Sequence, residues 1–187
     1  MSFQNYRQCL EWVLAYEGGY IDHPKDPGGA TNRGVTQRVY TAYRKRLGLS
    51  TQSVRHITAD EVASIYRSQY WDAIRGDGLP AGVEFAVFDF AVNSGVRRAV
   101  KALQRALGIR ADGIIGNITL AAARAADPES LITAVCKRRM SFLHRLSTFA
   151  TFGRGWTHRV EGYRARFQPG DTGVLDRAIL LARSASR

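Results

Sequence analysis

The sequence predicts a mainly α fold, a compact two-lobed helical domain with one small β-hairpin near the N-terminus. Three observations carry this. Apolar residues recur at helical spacing in most segments. Residues 20–34 break that pattern with Pro24, Asp26-Pro27-Gly28-Gly29 and Gly34. The composition, 45% hydrophobic and 23% charged over 187 residues, is that of a globular chain able to bury roughly 70% of its unfolded surface.

Each element has its own signal. Phe3, Tyr6, Leu10, Val13, Leu14 and Glu17 share one helical face, and Gly18-Gly19 stop that helix. Residues 20–34 suggest an irregular hairpin with its turn at 24–29. Thr36 caps a helix carrying Val39, Tyr43 and Leu47, closed by Gly48. Thr58-Ala59-Asp60-Glu61 is a capping box ahead of Val62, Ile65, Tyr66 and Gln69, with Trp71 after them. Residues 82–93 are apolar on nearly all sides, which marks a central buried helix. Val96, Val100, Leu103 and Leu107 form a one-sided stripe ending at Gly108, with Arg97, Lys101 and Arg105 on another face. Asp112-Gly113 marks a turn, and Asn117 is placed to cap a short alanine-rich helix. Asp127-Pro128 supplies a cap and an N1 proline for a long helix with Leu131, Val135, Phe142 and Leu146. Trp156, Val160, Tyr163 and Phe167 make another. Beyond Pro169-Gly170 the tail either adds a turn or two of helix or frays. No linker divides the chain, so 1–187 reads as a single compact unit.

Charge narrows the function classes. The net charge is +11, from 27 Lys+Arg against 16 Asp+Glu, and 23 of the 27 are arginine. Residues 1–93 hold 10 basic and 10 acidic residues, whereas 94–187 hold 17 and 6, so the whole excess lies in the second half. Such an excess attracts a polyanion: nucleic acid, anionic lipid or an acidic wall polymer. The basic residues are spread over several helices with no reader motif, which argues against specific nucleic-acid binding. Cys9 and Cys136 are expected as buried reduced thiols. His23, His56, His144 and His158 lack metal-binding spacing, and no metal or cofactor is implied. The N-terminal residues have no apolar signal region, and no run approaches the ~18 apolar residues of a membrane span. The chain is therefore expected to be made in the cytoplasm.

The residue singled out on physical grounds is Glu17. Val13 lies four positions before it and Leu14 three, so its carboxyl should face inward at the negative end of a helix. Desolvation and a negative helix end both disfavour the carboxylate, which suits a general acid. A helix-end glutamate that snorkels or pairs with an arginine would look the same from position alone. Asp26 follows nine residues on, where the chain can fold back across a groove. Carboxyl groups about 6.5–9.5 Å apart leave room for a water and give inverting glycoside hydrolysis, while about 5–5.5 Å gives retention. Thr31, on the returning strand, could hold that water. Asp-Pro-Gly-Gly is equally a common turn, so Asp26 has two readings.

Glu17-Gly18-Gly19-Tyr20 and Pro24-Lys25-Asp26-Pro27-Gly28-Gly29-Ala30-Thr31-Asn32-Arg33-Gly34-Val35-Thr36 resemble the signature of glycoside hydrolase family 108. These are phage and prophage endolysins with N-acetylmuramidase (lysozyme) activity. Downstream, Phe88-Asp89-Phe90-Ala91-Val92-Asn93-Ser94-Gly95, with Asp112-Gly113-Ile114-Ile115-Gly116, resembles their peptidoglycan-binding segment. The resemblance spans about residues 5–168. It implies a lysozyme-like catalytic part at 5–93 and a peptidoglycan-binding-like helical part at 84–168 packed on it. It also implies Glu17 as catalytic acid, and supports Asp26 and Thr31 as partners that position the water. Tyr20, Asn32, Tyr70, Trp71 and Asn93 are candidate sugar contacts, although aromatics at helical spacing also suit a core. One departure is Ile21, where the family commonly has a small or polar residue. The expected partners are peptidoglycan, an anionic wall or membrane face, and a holin or similar pore that lets a monomeric enzyme reach the periplasm or wall. A lytic transglycosylase on the same bond and a non-catalytic wall-binding module are the alternatives.

Overall fold

Helix α1 (Ser2–Leu14) opens the chain in this computed structural model, which describes residues 2–22, 29–162 and 172–186. The residues group into two units, Met1–Gln69 and Tyr70–Arg187.

In the first unit α1 packs against α3 (Ala59–Tyr66), burying Tyr6, Cys9, Leu10 and Val13 against Val62, Ile65 and Tyr66. The Tyr6 hydroxyl donates to the Ala63 carbonyl, joining the two helices at their polar edge. The strands β1 (Thr31–Asn32) and β2 (Val35–Thr36) pair antiparallel, Thr31 with Thr36 and Asn32 with Val35. Thr36 then caps α2 (Gln37–Arg46) by accepting from the Val39 amide, as its sequence position predicts. The capping box of Thr58 and Glu61 also forms. Glu61 does more than cap: it accepts from the Tyr40 hydroxyl at 2.8 Å and pairs with Arg44 at 2.8 Å. Burial opposes its charge, but these partners and Thr58 outweigh it and hold the carboxyl below its ordinary range.

Two details lie beyond the sequence signals. A two-residue hairpin turn lies at Arg33-Gly34. The turn expected at 24–29 falls on residues 23–28, which lie outside the described residues, and the antiparallel bridge between Ile21 and Thr31 brackets that segment. Arg33 (φ 50°) and Gly34 (φ 75°) are both left-handed, the geometry of a two-residue hairpin turn whose twist matches its strands. In α2 the fully buried aromatic is Tyr40, while Leu47 lies past the helix end and is 53% exposed.

The chain passes into the second unit within a π-turn, Arg67–Trp71. Helix α4 (Val83–Ser94) is the central buried helix expected, with every residue from Val83 to Ala91 buried. Around it pack α5 (Val96–Ala106), α7 (Pro128–Leu143) and α9 (Val174–Ala185). Helix α6 (Asn117–Ala125) packs on α7, as does α8 (Phe149–Glu161). Asp127 caps α7 through the Ser130 amide with Pro128 at the first turn. Gly116 caps α6; Asn117 is its first residue and accepts from Arg75 at 3.1 Å. The tail is a full helix, α9, with Val174, Ala178 and Ala182 buried. Gly82 shows how closely α9 approaches, since a Cβ there would strike the Ala178 carbonyl. Tyr163 and Phe167, expected to extend α8, lie outside the described residues.

A helix buried on nearly all sides that carries Asp89 near its centre requires a partner for that charge. Two come from the basic half. Arg139 donates to Asp89 Oδ1 at 2.6 Å, and Arg159 donates to Oδ2 at 2.8 Å. All three side chains are almost or wholly buried, and the Arg139 guanidinium also lies 5.3 Å from the Phe90 ring centre. Cys9 and Cys136 are both buried, and burial pushes the Cys136 thiol up to about 12. Among the described residues no helix is long and apolar enough to cross a membrane.

Burial opposes the charge of Asp89, but Arg139 and Arg159 outweigh it and depress the carboxyl. Such a group stabilises the fold above its unfolded value of about 4, and the contribution is lost as pH falls through the lower folded value. Asp89→Asn leaves two buried guanidinium groups facing a neutral amide and should cost about 3–5 kcal/mol. Urea midpoints at neutral pH read the loss. The same titration below about pH 4 should show a flatter pH slope in the variant than in the parent.

Candidate active site

The site grows from the end of α1. Its last turn tightens, with the Tyr16 amide bonding the Val13 carbonyl and the Glu17 amide that of Leu14, each at 3.1 Å. Glu17 therefore stands just beyond the helix rather than inside its last turn, and it is half-buried. Gly18 and Gly19 follow in the open. The Gly18 carbonyl accepts from the Arg33 amide at 3.1 Å. Ile21 and Thr31 exchange both backbone hydrogen bonds at 2.8 Å. The Glu17–Ile21 segment thus lies alongside the hairpin as a third, irregular strand.

Gly34 sets the wall beside Glu17. A Cβ on Gly34 would sit 3.1 Å from Glu17 Oε2 and 3.5 Å from its carboxyl carbon. It would also overlap the Tyr66 hydroxyl. That hydroxyl donates to the Arg33 carbonyl at 3.0 Å. Both backbone groups of left-handed Arg33 are therefore held, the amide by Gly18 and the carbonyl by Tyr66.

The other expected residues distribute as follows. Tyr20 is 36% exposed, donates to Asp22 at 3.1 Å and lies under the Arg55 guanidinium, 5.1 Å from its ring centre. Desolvation and the Asp22 carboxylate keep its hydroxyl above the ordinary range, so it remains a donor at neutral pH. Thr31 is half-buried, and its hydroxyl donates to the Gly29 carbonyl at 3.3 Å. Asn32 turns its amide nitrogen to the carbonyls of Val54 and Arg55, at 3.1 and 3.2 Å. It anchors the turn that carries Arg55 over Tyr20. Asp26 lies outside the described residues.

Tyr70, Trp71 and Asn93 belong to the second unit. Tyr70 is half-buried, and Asn93 accepts from the Ser94 hydroxyl at 2.9 Å. Trp71 is 1% exposed, packs edge-on against Phe88 at 5.3 Å and donates its indole N–H to Asp77 at 2.8 Å. It presents no open face to a sugar, and core packing is the role this ring takes. Among the described residues no group of three or more His, Cys, Asp or Glu side chains could hold a metal ion.

Sequence reasoning did not single out Tyr66 or Arg55 for the site. Tyr66 reads locally as one more apolar position of α3. Only the return of the hairpin, 33 residues earlier, brings a carbonyl to its hydroxyl.

Comparison with known proteins gives the class. Residues 10–95 match the sequence family described as Glycosyl hydrolase 108, and residues 98–161 match one described as Predicted Peptidoglycan domain. Twelve chains of solved structures match. One, titled "Structure of Brucella abortus SagA", is 42% identical with a TM-score of 0.78, covering 97% of this chain and 98% of that one. The comparison with curated proteins gives no match. A mainly helical, lysozyme-like fold joined to a peptidoglycan domain defines a glycoside hydrolase that acts on peptidoglycan. The chain belongs to glycosyl hydrolase family 108.

The crowding at Gly34 yields a direct test. Gly34→Ala places a methyl group against Tyr66 and Glu17 in a left-handed conformation, which alone costs roughly 1–2 kcal/mol. The variant should lose at least that much in chemical denaturation and clear cell-wall suspensions more slowly than its stability alone explains.

Proposed function

We propose that the protein is an N-acetylmuramidase that hydrolyses the β-1,4 bond between N-acetylmuramic acid and N-acetylglucosamine. The observation that carries this reading is the Glu17 carboxyl, half-buried against the Arg33-Gly34 turn within the family 108 segment. Glu17 protonates the leaving glycosidic oxygen. A water held by Asp26 and Thr31 attacks the oxocarbenium-like carbon from the opposite face, inverting its configuration. Tyr20, 36% exposed on the segment that follows Glu17, offers a sugar the part of its ring that the Arg55 guanidinium leaves open.

Glu17→Gln keeps the shape and removes the proton donor. Clearing of outer-membrane-stripped cells should fall roughly 100- to 10,000-fold, with folding and wall sedimentation unchanged. Mass spectrometry of the parent digest should show reducing muramic acid ends. Ends in 1,6-anhydromuramic acid would make the enzyme a lytic transglycosylase using the same acid, and reducing glucosamine ends would make it a glucosaminidase.

Charge supports a second part of the reading. The first unit holds 9 basic and 6 acidic residues and the second 18 and 10, so the excess is +3 and +8. In the second unit Arg97, Arg105, Lys137, Arg138, Arg145 and Arg154 are exposed. We propose that this surface holds the enzyme on the anionic wall or membrane face once a holin or similar pore has let it out. Sedimentation with walls should weaken as salt shortens the screening length from about 10 Å at 0.1 M. Turnover of a short neutral oligosaccharide should change much less; an equally steep fall would rule the idea out.

A further inference from the structure

We infer that the Tyr66 hydroxyl is a positioning group for Glu17, acting through the Arg33-Gly34 turn. The inference rests on Glu17 being the acid. Tyr66 is the last residue of α3 and is 2% exposed, so its ring is closed off from a bound glycan. Its hydroxyl donates to the carbonyl that links two left-handed residues. The same oxygen crowds Gly34 so closely that only a hydrogen fits there, and the Glu17 carboxyl crowds that glycine too. The turn is thus the wall of the acid, and Tyr66 is what holds the wall.

The arrangement needs an external hold. An arginine in the left-handed region is strained by its own Cβ. Gly34 adopts that geometry freely, but Arg33 does not favour it as asparagine at the same position would. The Gly18 carbonyl holds one side of Arg33 and the Tyr66 hydroxyl holds the other. Removing the hydroxyl takes a donor from the Arg33 carbonyl and lets the turn relax toward ordinary backbone. Gly34 then moves away from Glu17, and the carboxyl loses its fixed place. A misplacement of order 1 Å costs about 100-fold in rate.

The test is Tyr66→Phe in the full chain, assayed on soluble glycan-strand fragments at a temperature where circular dichroism shows it folded. We expect kcat to fall roughly 10- to 100-fold with KM unchanged. A purely structural role would lower the melting midpoint and leave kcat of the folded variant intact, and that result overturns the inference. Gly34→Ala is made in both backgrounds. Its effect on kcat should shrink in Tyr66→Phe, where the overlapping oxygen is gone, whereas independent, multiplying effects would overturn the coupling. If Tyr66→Phe fails to fold, Gly34→Ala alone must lower kcat at constant KM, and a rise in KM with kcat unchanged counts against the inference. Glu17→Gln is run beside them. If it stays active, the acid assignment fails and this inference with it. If it is inactive while folded Tyr66→Phe runs at full rate, only the positioning role fails.

Discussion

Two consecutive left-handed residues, Arg33 and Gly34, govern the geometry of the candidate site. The turn they form sends β2 back along β1 and brings a backbone edge against the Glu17 carboxyl. Glycine adopts this conformation freely, but arginine does so at a cost of about 1–2 kcal/mol. Two hydrogen bonds, to Gly18 and from Tyr66, offset that cost by roughly 1 kcal/mol each. The site therefore depends on a contact between the segment after α1, the hairpin and the end of α3. No one of these elements could place Glu17 alone.

The second unit answers a different constraint, a carboxylate inside an apolar helix. Asp89 can be charged there only because Arg139 from α7 and Arg159 from α8 reach it from two directions. The pairing changes the meaning of the net charge. Two arginines that count toward the basic half of the sequence face inward and neutralise an acid that counts toward the neutral half. The charge that a wall polymer could meet is what remains on the exposed faces of α5, α7 and α8.

Local signals carried much of the fold. The Thr36 cap, the Thr58–Glu61 box, the Asp127-Pro128 start and the buried helix read from the mostly apolar residues 82–93 each depend on neighbours within a few positions, and each forms as expected. What local signals leave out shares a cause. Arg33 carries no turn signal of its own and adopts its conformation only under long-range ties. Helix α9 has an ordinary pattern, and its burial depends on Gly82 letting the Ala178 backbone approach. Asn32 has the chemistry of a sugar contact, and its amide nitrogen also ties the hairpin to the loop carbonyls of Val54 and Arg55, a link that no local spacing announces.

The sequence by itself determined the mainly α class, the helix starts and the singling out of Glu17, because capping and amphipathic spacing act within one or two turns of chain. It also determined the family, through a motif long enough to be specific. Tertiary structure alone decided what surrounds Glu17. Gly34 and Tyr66 are distant from Glu17 along the chain, and their meeting depends on backbone angles and close contacts that no local pattern encodes. Tertiary structure also decided that Trp71 is core and that Arg139 and Arg159 are internal counterions. Burial is a property of the packed whole, and the same residue types on the same helical spacing would have served equally well at the surface.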